Sequence, residues 1–365
     1  MMKSEHSMQQ PSTSRSTWSR AWKLAAGIAL AVTLAACGDS DPLLKRIVVF
    51  GDSLSDMGTY QVGNVKALGG GKFTVNPGPM WNEIVATELE SKITVGMAGG
   101  FGVAPTICPA QDNSCTNWAQ GGARVTQRPG IGFAVDGSAS LATPISEQIA
   151  AHLARVGGTF DNRDVVSIQG GANDIFYQLG VLQFLLDNGT PLEQAASTVV
   201  TAMATAGAEL AELVKAELLT NGAKQVVVWN IPDVSDTPFG KFVLDAPTRG
   251  LVSQMTLAFN SALTAGLTGA TVRTIDSKAL IATWAASPNA YGFTDVEQRA
   301  CSSDKIAAAT GGLVTDGSSL FCTELTLLDT DTSRFMFADG VHPTPYTHKL
   351  MAQTFMNELR AAGWR

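Results

Sequence analysis

Three residues in this chain have types and positions suited to acyl-transfer chemistry: Ser53 behind an apolar run, His342 at a turn, and Asp339 just upstream of it. Hydrolysis through a serine needs a nucleophile, a base to take its proton, and a group that orients the base. It also needs hydrogen-bond donors aimed at the developing oxyanion. Ser53 lies in Phe50-Gly51-Asp52-Ser53-Leu54-Ser55-Asp56, directly after Arg46-Ile47-Val48-Val49-Phe50. An apolar, β-branched run closed by glycine reads as a buried parallel strand. Its carboxyl end is where open α/β sheets place their ligands. A serine after a strand is also a common helix N-cap, so position alone leaves both readings open. Ser40 has the same two preceding residues, Gly38 and Asp39, but no strand precedes it, and it is rejected as a site.

The scarcity of histidine narrows the choice of base, for there are four. His6 falls in the leader. His152 sits in an amphipathic helix and reads as a surface or packing residue. His348, beside Lys349, is expected to be solvated. His342 occupies a glycine-containing turn, Phe337-Ala338-Asp339-Gly340-Val341-His342-Pro343-Thr344. Such a turn can fold Asp339 back onto the imidazole and fix its tautomer. The same spacing would equally serve a helix entry capped by aspartate.

The elements that must position these residues alternate. Further strands are expected at Asp164 to Gly170 and Gln225 to Asn230, with a weaker one at Thr271 to Asp276. Helices are expected over Pro144 to Arg155, Pro191 to Leu219, Ser253 to Leu267 and Pro345 to Ala362. Strands alternating with helices imply a mainly parallel sheet covered on both faces. The stretches Gly63 to Gly78, Gly96 to Ser140 and Ser287 to Phe335 read as long loops able to shape a cleft. No internal repeat or interior linker divides residues 45–365, which are read as one catalytic domain.

Residues 1–36 do not read as part of that domain. A basic leader with Lys3, Arg15, Arg20 and Lys23 precedes the uncharged apolar run Leu24 to Ala36, the pattern of a secretory signal. It closes on Leu34-Ala35-Ala36-Cys37, which resembles the bacterial lipobox, and residues 37–44 follow as a tether. The resemblance implies lipidation of Cys37 and a membrane anchor without a spanning helix. Gly38 after the cysteine favours the outer membrane or cell surface. The whole chain carries a net charge of −7, and losing four basic residues and Glu5 makes the remainder more acidic. That balance excludes a nucleic-acid partner, whose phosphates need a basic patch. Of the five cysteines, Cys37 goes to lipid. Cys108, Cys115, Cys301 and Cys322 then read as two disulfides in an exported chain. Three pairings are possible, and sequence proximity favours Cys108–Cys115 and Cys301–Cys322.

The chain lacks G-x-S-x-G, and Gly69-Gly70-Gly71-Lys72 runs into Phe73 and so fails as a phosphate loop. No metal, nucleotide or other cofactor is implied. Four blocks instead occur in order: Gly51-Asp52-Ser53-Leu54-Ser55-Asp56, Asn117-Trp118-Ala119-Gln120-Gly121-Gly122-Ala123, Gly171-Ala172-Asn173-Asp174, and Asp339-Gly340-Val341-His342-Pro343. Over residues 46–362 the chain resembles the SGNH hydrolases, also called GDSL esterases/lipases. Asn230-Ile231-Pro232-Asp233 and Asn289-Ala290-Tyr291-Gly292-Phe293 resemble the GDSL-lipase branch. The resemblance implies a three-layer α/β/α sandwich with a mainly parallel, flavodoxin-like sheet. It also implies Ser53 as nucleophile, His342 as base and Asp339 as its orienting group. The oxyanion hole would comprise the N–H of Ser53, the N–H of Gly122 and the side-chain amide of Asn173. Either Gly121 or Gly122 suits locally, and counting from Asn117 as the family block does selects Gly122.

The expected activity is hydrolysis of short- to medium-chain acyl esters or lipids at the cell surface through an acyl-serine. Phospholipase, acyltransferase or polysaccharide O-deacetylase chemistry would fit the same fold. A non-catalytic binding lipoprotein is the rival from another class, and the intact five-residue set argues against it.

Overall fold

The alternation of side chains along the expected strands decides the layering. In a computed structural model, which describes residues 44–365, the first strand is β1 (Arg46–Phe50). Val48 and Phe50 point to one face of the sheet, and Ile47 and Val49 to the other. Both sets are fully buried, so both faces must be covered.

The strands that follow are β2 (Thr94–Val95), β3 (Met97–Gly100), β4 (Val103–Ile107), β5 (Cys115–Asn117), β6 (Asp164–Ile168), β7 (Gln225–Trp229), β8 (Arg273–Ile275), β9 (Asp295–Arg299) and β10 (Phe335–Phe337). Six form the main sheet in the order β2-β5-β1-β6-β7-β8, and every pairing is parallel. Without the short edge strand β2, the order by chain position is 2-1-3-4-5, the flavodoxin-like arrangement. β3 and β4 make an antiparallel pair, and β9 and β10 a parallel one.

On one face, Val48, Phe50, Val166, Ile168, Val226 and Val228 pack beneath helices Ile145–Val156, Ala172–Asp187, Leu192–Glu212 and Ala246–Gly266. On the other, Ile47, Val49, Val165, Val227 and Trp229 pack beneath Trp81–Glu88, Ser277–Ala286 and Pro345–Ala361. The result is a three-layer α/β/α sandwich with a mainly parallel sheet. Leu44–Arg365 forms one compact unit. The leader, Ser40 and Cys37 lie outside the described residues.

Several sequence expectations need correction. The helix read from Ser253 begins at Ala246, because Asp245 caps it by accepting from the Thr248 N–H and proline fits its first turn. Helices Trp81–Glu88, Ala172–Asp187 and Ser277–Ala286 were not anticipated. The stretch 96–140 is not simply loop, since it contains β3, β4 and β5. His348 is fully buried rather than solvated: it shares a helix face with Ala352 and Phe355, and Lys349 turns outward. The cysteines join as Cys108–Cys115 and Cys301–Cys322, as proximity favoured.

Candidate active site

The carboxyl ends of neighbouring parallel strands bring the sequence blocks together. β1 leads to Ser53, β5 to Gly122, β6 to Asn173 and β7 to Pro232. All four residues line one cleft of about 590 Å³ that also contains His342. A larger groove of about 730 Å³ lies beyond the 131–140 segment, but it contains none of Ser53, Asn173 and His342. Volume is therefore a poorer guide here than chemistry.

Ser53 Oγ lies 2.8 Å from His342 Nε2, and His342 Nδ1 lies 2.7 Å from Asp339 Oδ2. Asp339 Oδ1 accepts from the N–H groups of Val341 and His342, at 2.9 and 2.8 Å. Its Oδ2 also accepts from the Ser319 N–H at 2.8 Å. Burial alone would push this carboxyl up. The charge of His342 and the hydrogen bonds from His342 and Ser319 outweigh it and hold Asp339 well below the usual carboxylate range. Phe73 covers the imidazole, with ring centroids 4.9 Å apart.

The nucleophile loop is fixed from several sides. Gln148 grips Gly51, with its Oε1 accepting from the Gly51 N–H and its Nε2 donating to the Gly51 carbonyl, at 2.9 and 2.8 Å. The Ser55 carbonyl accepts from the side-chain amides of Asn82 and Asn117, at 2.6 and 2.8 Å. Asp52 is buried beside Ser53 and accepts from the Leu54 N–H. Burial pushes its carboxyl up to about 6.

The turn after β5 distinguishes its two glycines. The Gly121 N–H donates to Asp56 Oδ2 at 2.9 Å, and the Gly121 carbonyl accepts from the Tyr60 hydroxyl at 2.7 Å. Gly121 is thus committed to the scaffold. Among the described residues, the N–H groups of Gly122 and Ser53 have no acceptor. Gly122 has φ +83°, and a Cβ there would sit 2.1 Å from the Ile131 carbonyl oxygen, so only glycine fits. Asn173 spends one amide hydrogen on the Ala123 carbonyl, at 2.9 Å. Its second hydrogen has no acceptor among the described residues. The N–H groups of Ser53 and Gly122 and the second amide hydrogen of Asn173 are thus three uncommitted donors lining one cleft.

Two buried carboxylates hold that turn. Asp56 accepts from the N–H groups of Gly58, Thr59 and Gly121. Burial pushes it up to about 6 against these donors, which favour the anion. Asp174 accepts from Arg124 Nε at 2.9 Å and from the Val125 N–H at 3.1 Å. Gln148 and Tyr60 carry no local motif that marks them in sequence. Asp56 and Asp174 lay within the blocks without an assigned role.

Residues 47–355 match the family model described as GDSL-like Lipase/Acylhydrolase, and the chain belongs to that family. It is similar to the proteins named Esterase EstA of Pseudomonas aeruginosa and of Pseudomonas putida. Each is 27 % identical over 339 residues, covering 88 % of this chain and 47 % of theirs. The chain thus spans about half the length of the curated relatives it matches. Among solved structures it is similar to Est24, a carbohydrate acetylesterase from Sinorhizobium meliloti. That match has 15 % identity and a TM-score of 0.39, and covers 87 % of this chain and all of the other.

The remaining histidines set a pH dependence. His152 Nδ1 accepts from Trp118 Nε1 at 3.0 Å, a packing role. Burial pushes both His152 and His348 down from 6.5 to about 3. Each stays neutral when folded and takes up a proton on unfolding, so its stabilisation is complete above about 6.5 and is lost as pH falls toward 3. His348→Leu should flatten the stability profile measured by urea unfolding between pH 6.5 and 4.5, by about 1.4 kcal/mol per pH unit. An unchanged slope would contradict the buried neutral assignment.

Proposed function

We propose that the chain is a serine ester hydrolase that cleaves short- to medium-chain acyl esters through an acyl-serine at Ser53. The observation that carries this reading is the continuous Ser53–His342–Asp339 hydrogen-bond chain opening onto three uncommitted donors. Ser53 Oγ attacks the carbonyl carbon while its proton passes to His342 Nε2. The carbonyl oxygen becomes the oxyanion and accepts from the N–H groups of Ser53 and Gly122 and from Asn173 Nδ2. Collapse breaks the bond to the leaving oxygen, which takes the proton from His342. Water then attacks the acyl carbon, gives a proton to His342 Nε2, and releases the acid as the proton returns to Ser53. Asp339 holds Nδ1 protonated throughout.

The cleft wall supports an acyl substrate. Leu54, Phe73, Phe101, Ile131, Phe176 and Leu320 line it, offering apolar surface beside the reacting atoms. The esterase names of the Pseudomonas relatives agree with this reading. A chromogenic ester series of increasing acyl length tests it. Ser53→Ala and His342→Ala should lose nearly all turnover, and Asn173→Ala should lose about 10²–10³ in kcat. Full activity in Ser53→Ala would refute the assignment.

The same reading places the enzyme at a membrane surface through lipidated Cys37, after removal of residues 1–36. Among the described residues, no helix is long and apolar enough to cross a membrane. Labelled palmitate should enter the wild-type protein during growth and be absent from Cys37→Ala. Label retained in the variant would rule out the anchor.

A further inference from the structure

Asp339 is also gripped by a segment that belongs to none of the sequence blocks. The Ser319 N–H donates to Asp339 Oδ2, the oxygen that faces His342 Nδ1. Ser319 is fully buried, and its hydroxyl has no hydrogen-bond partner among the described residues. A buried hydroxyl left unpaired costs about 1–3 kcal/mol, so its retention calls for a reason. Its own backbone N–H is already on Asp339 Oδ2, which puts the unpaired hydroxyl on the residue next to that carboxyl.

Ser319 begins a short helical turn, Ser319–Phe321, inside the loop closed by Cys301–Cys322. Asn76 Nδ2 donates to the carbonyls of Ser319 and Cys322, both at 3.1 Å, and the Gly71 N–H donates to that of Leu320 at 2.9 Å. The same loop presents Leu313, Val314, Leu320 and Phe321 to the cleft. Substrate wall and carboxylate support are therefore one covalently closed piece.

We propose that Ser319 is a positioning residue for Asp339, its hydroxyl adding a second donor beside its backbone N–H on the carboxylate, and that the Cys301–Cys322 disulfide, by fixing its loop, couples alignment of His342 to the wall of the cleft. The proposal rests on reading Ser53–His342–Asp339 as the catalytic relay. With donors on both oxygens, Asp339 cannot turn about its Cβ–Cγ bond. Among the described residues, Asp52 and His348 interact electrostatically with His342, and Lys72, paired with Glu83, lies beside His348. A change at position 319 leaves all of them in place.

Three variants test this: Ser319→Ala, Ser319→Thr, and the double variant Cys301→Ala/Cys322→Ala. Ser319→Ala should lower kcat about 3- to 10-fold, the worth of one hydrogen bond, with KM unchanged within about twofold. One donor fewer leaves more of the Asp339 charge to the imidazolium, so the acidic limb of the kcat/KM profile should move up by about half a pH unit. Ser319→Thr, which keeps the hydroxyl, should retain most of kcat and the wild-type limb. In the protein lacking the disulfide, adding Ser319→Ala should cause little further loss, because the loop no longer delivers the residue. The His342 titration is also read by NMR in a Ser53→Ala background, which requires no turnover. An unmoved titration in Ser319→Ala, a loss confined to KM or stability, or fully multiplicative losses would overturn the proposal. If the wild type cleaved no ester while the titration still shifted, the positioning role would stand and the functional reading alone would fall.

Discussion

Ser53 Oγ and His342 Nε2 meet at 2.8 Å although 289 residues separate them in the chain. Neither residue lies in a regular element, so the contact depends on two loops being held rigidly from opposite ends of the sequence. A displacement near 1 Å at such a contact costs on the order of 100-fold in rate. The loop after β1 is therefore clamped at Gly51 by Gln148 and at Ser55 by Asn82 and Asn117. The loop after β10 closes on itself, with the Ala338 N–H donating to the His342 carbonyl at 2.7 Å. Thr344 caps the helix that follows and donates from its hydroxyl to the Phe335 carbonyl. The sandwich exists, in this sense, to keep two turns in register.

Charge buried beneath the site does the remaining positioning. Asp56 and Asp174 grip the turn that carries Gly122 from two sides, one through backbone N–H groups and one through Arg124 as well. Buried carboxylates are costly unless donors satisfy them, and here the donors belong to the turn that must not move. Asp339 follows the same logic with the opposite net result. Its partners outweigh burial and keep it ionised, whereas Asp52 and Asp56 are pushed up.

Much of this was legible in the sequence. The apolar runs Arg46-Ile47-Val48-Val49-Phe50 and Asp164 to Gly170 read as buried parallel strands, and both are buried on both faces. The order of the four blocks groups Ser53, Gly122, Asn173, Asp339 and His342 as candidates, and the fold sets all but Asp339 on one cleft, with Asp339 bonded to His342. The choice of Gly122 over Gly121 was legible only through the family block; its physical reason, the commitment of Gly121 to Asp56 and Tyr60, required coordinates. The charge of the adjacent Lys349 says nothing about His348, since neighbouring residues on a helix face different ways. The spacing of His348 to Ala352, Phe355 and Leu359 placed it on the buried face. Ser319 carried no signal at all, since its role arises from a disulfide-closed loop folding onto a residue distant in sequence. Gln148 was hidden in the same way within an ordinary amphipathic helix.

The central claim is that Ser53, and no other serine, forms the covalent intermediate. A fluorophosphonate inhibitor traps such a nucleophile as a stable adduct, and peptide mass spectrometry locates it. The account predicts one adduct per chain, on the peptide containing Ser53, and none after His342→Ala. An adduct at Ser40 or elsewhere, or ester hydrolysis that persists with Ser53 unlabelled, would contradict it.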